Sequence, residues 1–451
     1  MGWAKGRSAS LSLRSLLVGM LLFGAFQFLA QVRISSQFLQ GDKKEIEAFH
    51  GNTRPSSSSR EGLLSLYNPF SHPVYPEASS PPPSSPLKVG IISTTPLSGE
   101  TLHFLYDGVV RSSKMELVGV VSLFDKSNET ASAPSQALDL PYFSQERDPS
   151  EVDLWIVDGH RVAKLKRQFL DNLLQSQSPS WKVLIIDYSD RVQFQLPHYQ
   201  RLGIWDKPHI RVAFRSIVQG RFFDGKQNAI HPGYIAPNLP TAGGSMIHCP
   251  YAARSDIIEA LQVELKRVGV SSSSEQTNRP VDVYHPWQVV AKKGKSKYRN
   301  AVSKVVRSWN GTTLDSRRRE IVITSIEEQG PRRAVGRNAA NREYVRALLS
   351  AKIVVVTQKD NWIDHYRLME ALVSGSMVLA DEILAPPTGL KDGKNVVFFS
   401  NLTHMEELAR YYLSHSDERL AIAESGERIA MSQHRSWHRM ESLVFGKIMT
   451  P

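Results

Sequence analysis

The chain has 451 residues, 41% hydrophobic and 22% charged, a composition that excludes a disordered or collagen-like protein and allows two or three folded domains. Its single cysteine, Cys249, excludes an intramolecular disulfide framework. The net charge of +11 comes without any recognisable nucleic-acid module.

From Leu16 to Val32 the chain is apolar apart from Gln27 and Gln31. About 17 such residues reach the lower limit for crossing a bilayer. Lys5, Arg7 and Arg14 precede the run, which keeps residues 1–15 cytosolic and sends the remainder across. The expectation is an uncleaved signal anchor at 16–32, because bulky Phe26, Gln27, Phe28 and Leu29 stand where a cleavage site needs small residues. A cleaved signal peptide or an organelle transit peptide is the alternative. Residues 33–86 carry Ser56–Ser59 and Pro81–Pro83, and read as an extended stem. The expected location is therefore a Golgi or ER membrane, single-pass, with the head in the lumen. Sequons at Asn128, Asn310 and Asn401 agree with that compartment at a frequency no higher than chance.

The head begins at Leu87. Lys88–Ser93, Leu117–Val121, Val152–Val157 and Lys182–Ile186 are short β-branched runs that read as buried strands. Between them lie a helical stretch from Glu100 to Ser113 and an amphipathic one carrying Val162, Leu165, Phe169, Leu173 and Leu174. Strands without alternation, separated by helices, predict a parallel sheet covered on both faces. Ser271–Ser274 marks a break. A second series follows: strands at Ile321–Thr324, Ile353–Val356, Met377–Ala380 and Val396–Phe399, with helices at 292–309, 339–351, 364–374 and after Thr403 and Ser416. The expected fold class is α/β, with Rossmann-like domains at 87–275 and 276–451 facing across a cleft where strand ends gather ligands.

The segment from Asn361 to Asp381 is the most informative. A polar loop opens a helix at about Asp364, directly after a buried strand. Free N–H groups at a helix N-terminus suit a diphosphate, and Arg367 adds a donor fork. Glu370, one turn on, could accept hydrogen bonds from ribose hydroxyls. Gly375 fits a left-handed cap before the next strand. Taken alone, Arg367 and Glu370 would read as a surface ion pair.

The pattern Arg367-x-x-Glu370-Ala371-x-x-x-Gly375, then an apolar strand and Asp381, resembles the donor-binding signature of GT-B glycosyltransferases. The type it is most similar to is group 1, which includes the CgeB-like proteins. Tyr344, Leu348 and Ala351–Ile353 upstream, and Gly389–Asn395, Asp417–Arg419, Gly426 and His434–Arg439 downstream, extend the resemblance over about 100 residues. His434-Arg435-Ser436-Trp437 matches the final helix only approximately. The resemblance implies a nucleotide-sugar donor, a UDP- or GDP-sugar, as substrate, with no permanently bound cofactor. It implies that Glu370 holds the ribose and Arg367 the diphosphate, with Lys359 and Arg337 as weaker phosphate contacts.

No Asp-x-Asp occurs, and no His/Cys cluster has metal-ligand spacing, which favours stabilisation of the leaving group by cations and a helix dipole. A catalytic base is expected from the first half. Asp158 and His160 follow one strand and Asp190 another, where turn or capping roles are the plain alternative. His231 is a further candidate. Between Ala291 and Arg346, 15 Lys and Arg stand against 5 Asp and Glu. This reads as a solvated or lipid-facing surface, or as a surface for an acidic glycan acceptor. Two rival functions remain at this level. One is a non-catalytic glycan-binding or assembly subunit. The other is a Golgi sulfotransferase, whose phosphosulfate loop would sit at Thr95–Leu102, but that stretch lacks the basic residue before Ser98-Gly99.

Overall fold

In the computed structural model, strand formation follows the β-branched runs. The residues described are 85–94, 100–122, 151–159, 162, 165, 183–188, 192–204, 207, 209–214, 218–219, 222–223, 230–231, 234–235, 246–270, 273, 278–287, 297–313, 320–325, 340–357, 366–383 and 386–445. Among them no helix is long and apolar enough to cross a membrane. The expected tail and anchor, 1–32, and the expected stem, 33–86, except residues 85–86, lie outside the described residues, as does most of the helix expected at 162–174, of which Val162 and Leu165 are described and buried.

The first half runs β1 (Leu87–Ser93), α1 (Glu100–Val110), β2 (Met115–Ser122), β3 (Leu154–Asp158), β4 (Val183–Asp187), α2 (Val192–Arg201) and β5 (Ile210–Phe214). Four two-residue strands follow, β6 (Val218–Gln219), β7 (Phe222–Phe223), β8 (Ile230–His231) and β9 (Tyr234–Ile235), then β10 (Met246–His248) and α3 (Ser255–Arg267). The six longer strands form one parallel sheet in the order β10-β5-β4-β3-β1-β2. Every residue of β3 and β4 is buried, as expected of a sheet covered on both faces. Gly90 in β1 is required by packing, since a Cβ there would lie 2.5 Å from the ring of Trp155.

The second half runs β11 (Val281–His285), α4 (Lys297–Ser308), β12 (Ile323–Ser325), α5 (Arg342–Ser350), β13 (Ala351–Val356), α6 (Tyr366–Val373), β14 (Met377–Asp381), β15 (Val397–Phe399), α7 (Leu402–Ser414), α8 (Ser416–Gln433) and α9 (Ser436–Phe445). Its sheet is also parallel, in the order β12-β11-β13-β14-β15. Val283, Ile353, Leu379 and Phe399 pack against Tyr298, Val302 and Val306 of α4 and Met405 and Ala409 of α7. The molecule is thus α/β with two parallel sheets, both inside one compact unit, Asn68–Pro451.

The strands before and after residue 275 lie in different sheets, and two helices cross that line. α3 precedes that boundary yet packs on α5 and α6 of the second half. Its Glu264 accepts hydrogen bonds from Arg342 and Arg346, each at 2.8 Å. α9, at the other end of the chain, packs on α1 and places Met440, Leu443 and Val444 in the first core. Glu441 of α9, fully buried, accepts from Ser112 Oγ at 2.6 Å. Each half therefore lends one helix to the other. Apolar stripes decide this, because a helix packs wherever its stripe is covered, whatever its place in sequence. At the crossing, Asp107 of α1 accepts from Ser255 Oγ at 2.7 Å and from Ser436 Oγ, at the first residues of both exchanged helices.

Candidate functional site

In an open parallel sheet, ligands gather beyond the strand C-termini where the order reverses direction. In the second sheet that reversal lies at β11, flanked by β12 on one side and β13 on the other. The ends of β11 and β13 bring His285 and Thr357 together, with His285 Nε2 3.1 Å from Thr357 Oγ1 and Nδ1 3.0 Å from Ser303 Oγ. Burial, then the neighbouring Arg299, Arg367 and Arg307 guanidiniums, hold the imidazole well below its usual pKa. It is neutral at pH 7 and serves as a fixed strut among three cations.

Two of those cations are aimed by a tryptophan. Arg299, 2% exposed, donates from Nε to the Thr357 carbonyl at 3.0 Å, and its guanidinium lies over Trp287, 4.3 Å from the ring centroid. Arg367, in the first turn of α6, lies 5.9 Å from the same centroid and 5.3 Å from that of Tyr366. Burial pulls the Arg367 pKa down, but the Tyr366 and Tyr344 phenols and the Glu370 carboxylate leave it raised overall, so it is cationic at every working pH.

Glu370 is 1% exposed. The hydroxyl of Tyr344 donates to its Oε2 at 2.6 Å, and its Oε1 has no hydrogen-bond partner among the described residues. Burial raises the carboxyl pKa to about 7, against the opposing pull of Arg254, the Tyr344 hydrogen bond and Arg367. A buried acceptor left unpaired costs on the order of 1–3 kcal/mol, and a ligand hydroxyl would supply the missing donor. Tyr344 is itself buried, and burial and Glu370 push its phenol well above the usual range, so it stays a donor. Asn341 fixes α5, and with it Tyr344, by capping the helix: its Oδ1 accepts from the N–H groups of Glu343 at 2.8 Å and Tyr344 at 3.2 Å. Gly375 ends α6 in the left-handed region (φ +67°), and its Cα faces the Ser273 backbone so closely that a Cβ would lie 2.8 Å from it.

The first half contributes at this site. Arg254, 6% exposed, is clasped by Asp256, with Nε 2.9 Å from Oδ1, and its charge bears on Glu370. Tyr251 meets the ring of Tyr366 edge-on at 5.9 Å.

Of the residues singled out in the sequence, Arg367, Glu370 and Gly375 come together on α6 and its cap. Lys359, Arg337, Asp364, His160 and Asp190 lie outside the described residues, and only the backbone of His231 is described. Asp158 ends β3 at the first sheet's own reversal, fully buried, with its carbonyl accepting from Thr94 Oγ1 at 2.7 Å. Beside it the buried Asp187 accepts from Tyr199 at 2.8 Å. Arg299, Trp287, His285 and Arg254 escape a sequence reading, as does the pairing of Tyr344 with Glu370. For Arg299 a signal exists. It shares a helix face with Ser303 and Val306, both buried, and a charge on an apolar face is not a solvated one. The basic run at 291–346 is therefore not only a surface feature.

Residues 305–444 match the family model described as "Glycosyl transferase-like". No curated protein matches the chain. Among solved structures, the chain is similar to Anabaena HepE in complex with UDP, at 10% identity over 79% of this chain and 98% of that one, TM-score 0.47. It is similar to an alpha-glucosyltransferase in complex with UDP-glucose and DNA, at 12% identity over 80% and 100%, TM-score 0.48. Sucrose-phosphate synthase from Thermosynechococcus elongatus aligns at 9% identity over 79% and 98%, TM-score 0.43.

Proposed function

We propose that the protein transfers a sugar from a nucleotide-sugar donor to a hydroxyl of a glycan or glycoconjugate, a reading supported by the match of residues 305–444 to the glycosyl transferase-like family model. The observation that carries this reading is Glu370, a buried carboxylate with one oxygen held by Tyr344 and the other open to a donor. A ribose presents two adjacent hydroxyls, the complement of such a group. The diphosphate lies against Arg367, Arg299 and the N-terminus of α6, where a dianion meets two guanidiniums and a helix dipole.

In the reaction an acceptor oxygen forms a bond to the anomeric carbon while the bond from that carbon to the diphosphate oxygen breaks. The acceptor proton passes to a base, and the charge that develops on the diphosphate is met by the same cations. No metal is required in this scheme. This reading carries with it a GT-B arrangement of the two sheets and a lumenal head anchored through the apolar run Leu16–Val32.

The test is the thermal stability of the full chain with UDP, GDP and their sugars, with and without Mg²⁺ or Mn²⁺, beside Glu370→Gln. The reading expects one nucleotide to raise Tm without metal, and the shift to fall in the variant. A folded wild type that responds to neither nucleotide would overturn it.

A further inference from the structure

The second sheet's half holds Arg367 and Glu370, yet one of the two rings beside Arg367 is itself held from the first half. The guanidinium of Arg367 is bracketed by two rings, Tyr366 at 5.3 Å and Trp287 at 5.9 Å. Trp287 is tied within its own half, its indole N–H donating to Asn300 Oδ1 at 3.4 Å. Tyr366 is fixed from outside, by the edge-on ring of Tyr251 at 5.9 Å and an interplanar angle of 82°.

Tyr251 is well placed to impose a direction. Its ring stacks on Tyr188 at 5.2 Å, the planes 13° apart. Tyr188 stands just beyond β4, meets Phe104 of α1 edge-on at 5.2 Å, and lies 3.2 Å through its hydroxyl from Cys249 Sγ. The backbone is tied as well. The Tyr251 carbonyl accepts from Arg439 at 3.5 Å, and two residues on, the Ala253 N–H donates to the His434 carbonyl at 2.7 Å. An unbroken run of rings, Phe104, Tyr188, Tyr251 and Tyr366, thus leads from the first core to the cation at the head of α6.

We infer that Tyr251 is a positioning residue for the donor diphosphate, acting through Tyr366 on Arg367, so that the donor site is complete only when the first half holds this ring in place. Tyr251 touches no substrate in this account, and its hydroxyl is not needed. The inference rests on the donor-site reading of α6 and adds to it a dependence on the other sheet.

The experiment is calorimetric titration of UDP and GDP into the full chain as wild type, Tyr251→Leu, Tyr251→Phe, Arg367→Lys and the Tyr251→Leu/Arg367→Lys pair. An edge-on aromatic contact sets the scale: Tyr251→Leu should weaken binding by about three- to ten-fold. Tyr251→Phe, which keeps the ring, should restore it. The double variant should bind no more weakly than Arg367→Lys alone, because the leucine then has no aimed fork left to spoil. If Tyr251→Leu does not fold, Tyr251→Met, which removes the ring but keeps much of its bulk, takes its place and must show the same non-additivity. Additive losses, or a failure of Tyr251→Phe to restore binding, overturn the inference. Wild type that binds while Tyr251→Leu binds equally well overturns it alone. A wild type that binds neither nucleotide overturns the donor-site reading, and this inference with it.

Discussion

Glu370 joins burial to pH. Its carboxyl pKa is raised to about 7 by burial, so the folded state favours the protonated form relative to the unfolded chain. The stability this provides is fully present below the usual carboxylate range and is lost as pH rises to about 7. Glu370→Gln removes the ionisation, so the variant should be comparable to wild type near pH 4.5 and more stable above pH 7, by about 3 kcal/mol at most. Urea midpoints at several pH values read this directly. A pH-independent difference would mean that Glu370 ionises normally. Nucleotide-sugar affinity should run the other way: with a diphosphate that does not titrate near neutrality, it should rise with pH through about 7 in wild type, as the acceptor becomes an anion, and stay flat in the variant. Tyr344→Phe leaves both carboxylate oxygens without this partner and should cost about 1–3 kcal/mol while weakening nucleotide binding. At this scale the sequence showed Arg367 and Glu370, because their spacing on a helix is local. It hid Tyr344 as their partner, since 26 residues of chain separate Tyr344 from Glu370 and only the packing of α5 beside α6 joins them.

Among the elements, α5 and α6 share a tether that no periodicity announces. Arg279, 5% exposed, donates to the carbonyls of Leu348, Leu349 and Ala351 at the end of α5 and of Ser374 at the end of α6, at 2.8–3.3 Å. It also reaches the Ser273 carbonyl and Ser376 Oγ, each at 3.0 Å. Burial lowers its pKa to about 10, which still leaves it charged. One guanidinium thereby answers the unmet carbonyls and the negative dipole ends of two helices. Arg279→Met should destabilise the protein by about 3–5 kcal/mol, because the buried carbonyls at both helix ends lose this charged donor, and Ser376 Oγ still serves only those of Leu348 and Ala351. Arg279→Lys should rescue little, since a point charge cannot span both helix ends. Chemical denaturation of the three proteins checks both statements. The strands, by contrast, were legible because unbroken β-branched runs such as Ile353–Val356 have few other uses. β5, β10 and β11, and the two-residue strands β6 to β9, were not assigned from sequence.

For the whole molecule, the exchange of α3 and α9 makes the halves interdependent. Removing residues 436–451 withdraws Met440, Leu443 and Val444 from the first core, the half that carries none of the donor residues on α6. Such a truncation should fail to give a cooperative, soluble fold. A fragment ending at 275 should fail likewise, with the α1 face that Ser436 and Met440 cover left bare. Size-exclusion profiles and thermal melts of the two fragments test this, and a monodisperse, cooperatively melting 87–275 fragment would contradict it. Alternating strands and helices in the sequence reveal the two layered series, not which layer a terminal helix covers. Only the stripes on α1 and α9, brought into register, carry that information.

The contact between Ser112 and Glu441 has a consequence in time. These partners are 329 residues apart, so a helix that covers the first half's α1 is made long after the strands beneath it. At a synthesis rate of about 5–20 residues per second, the earlier strands wait roughly 15–65 s for it. During that interval the nascent first half holds an uncovered apolar face, a target for chaperones and for aggregation, and a ribosome that pauses within it prolongs that exposure.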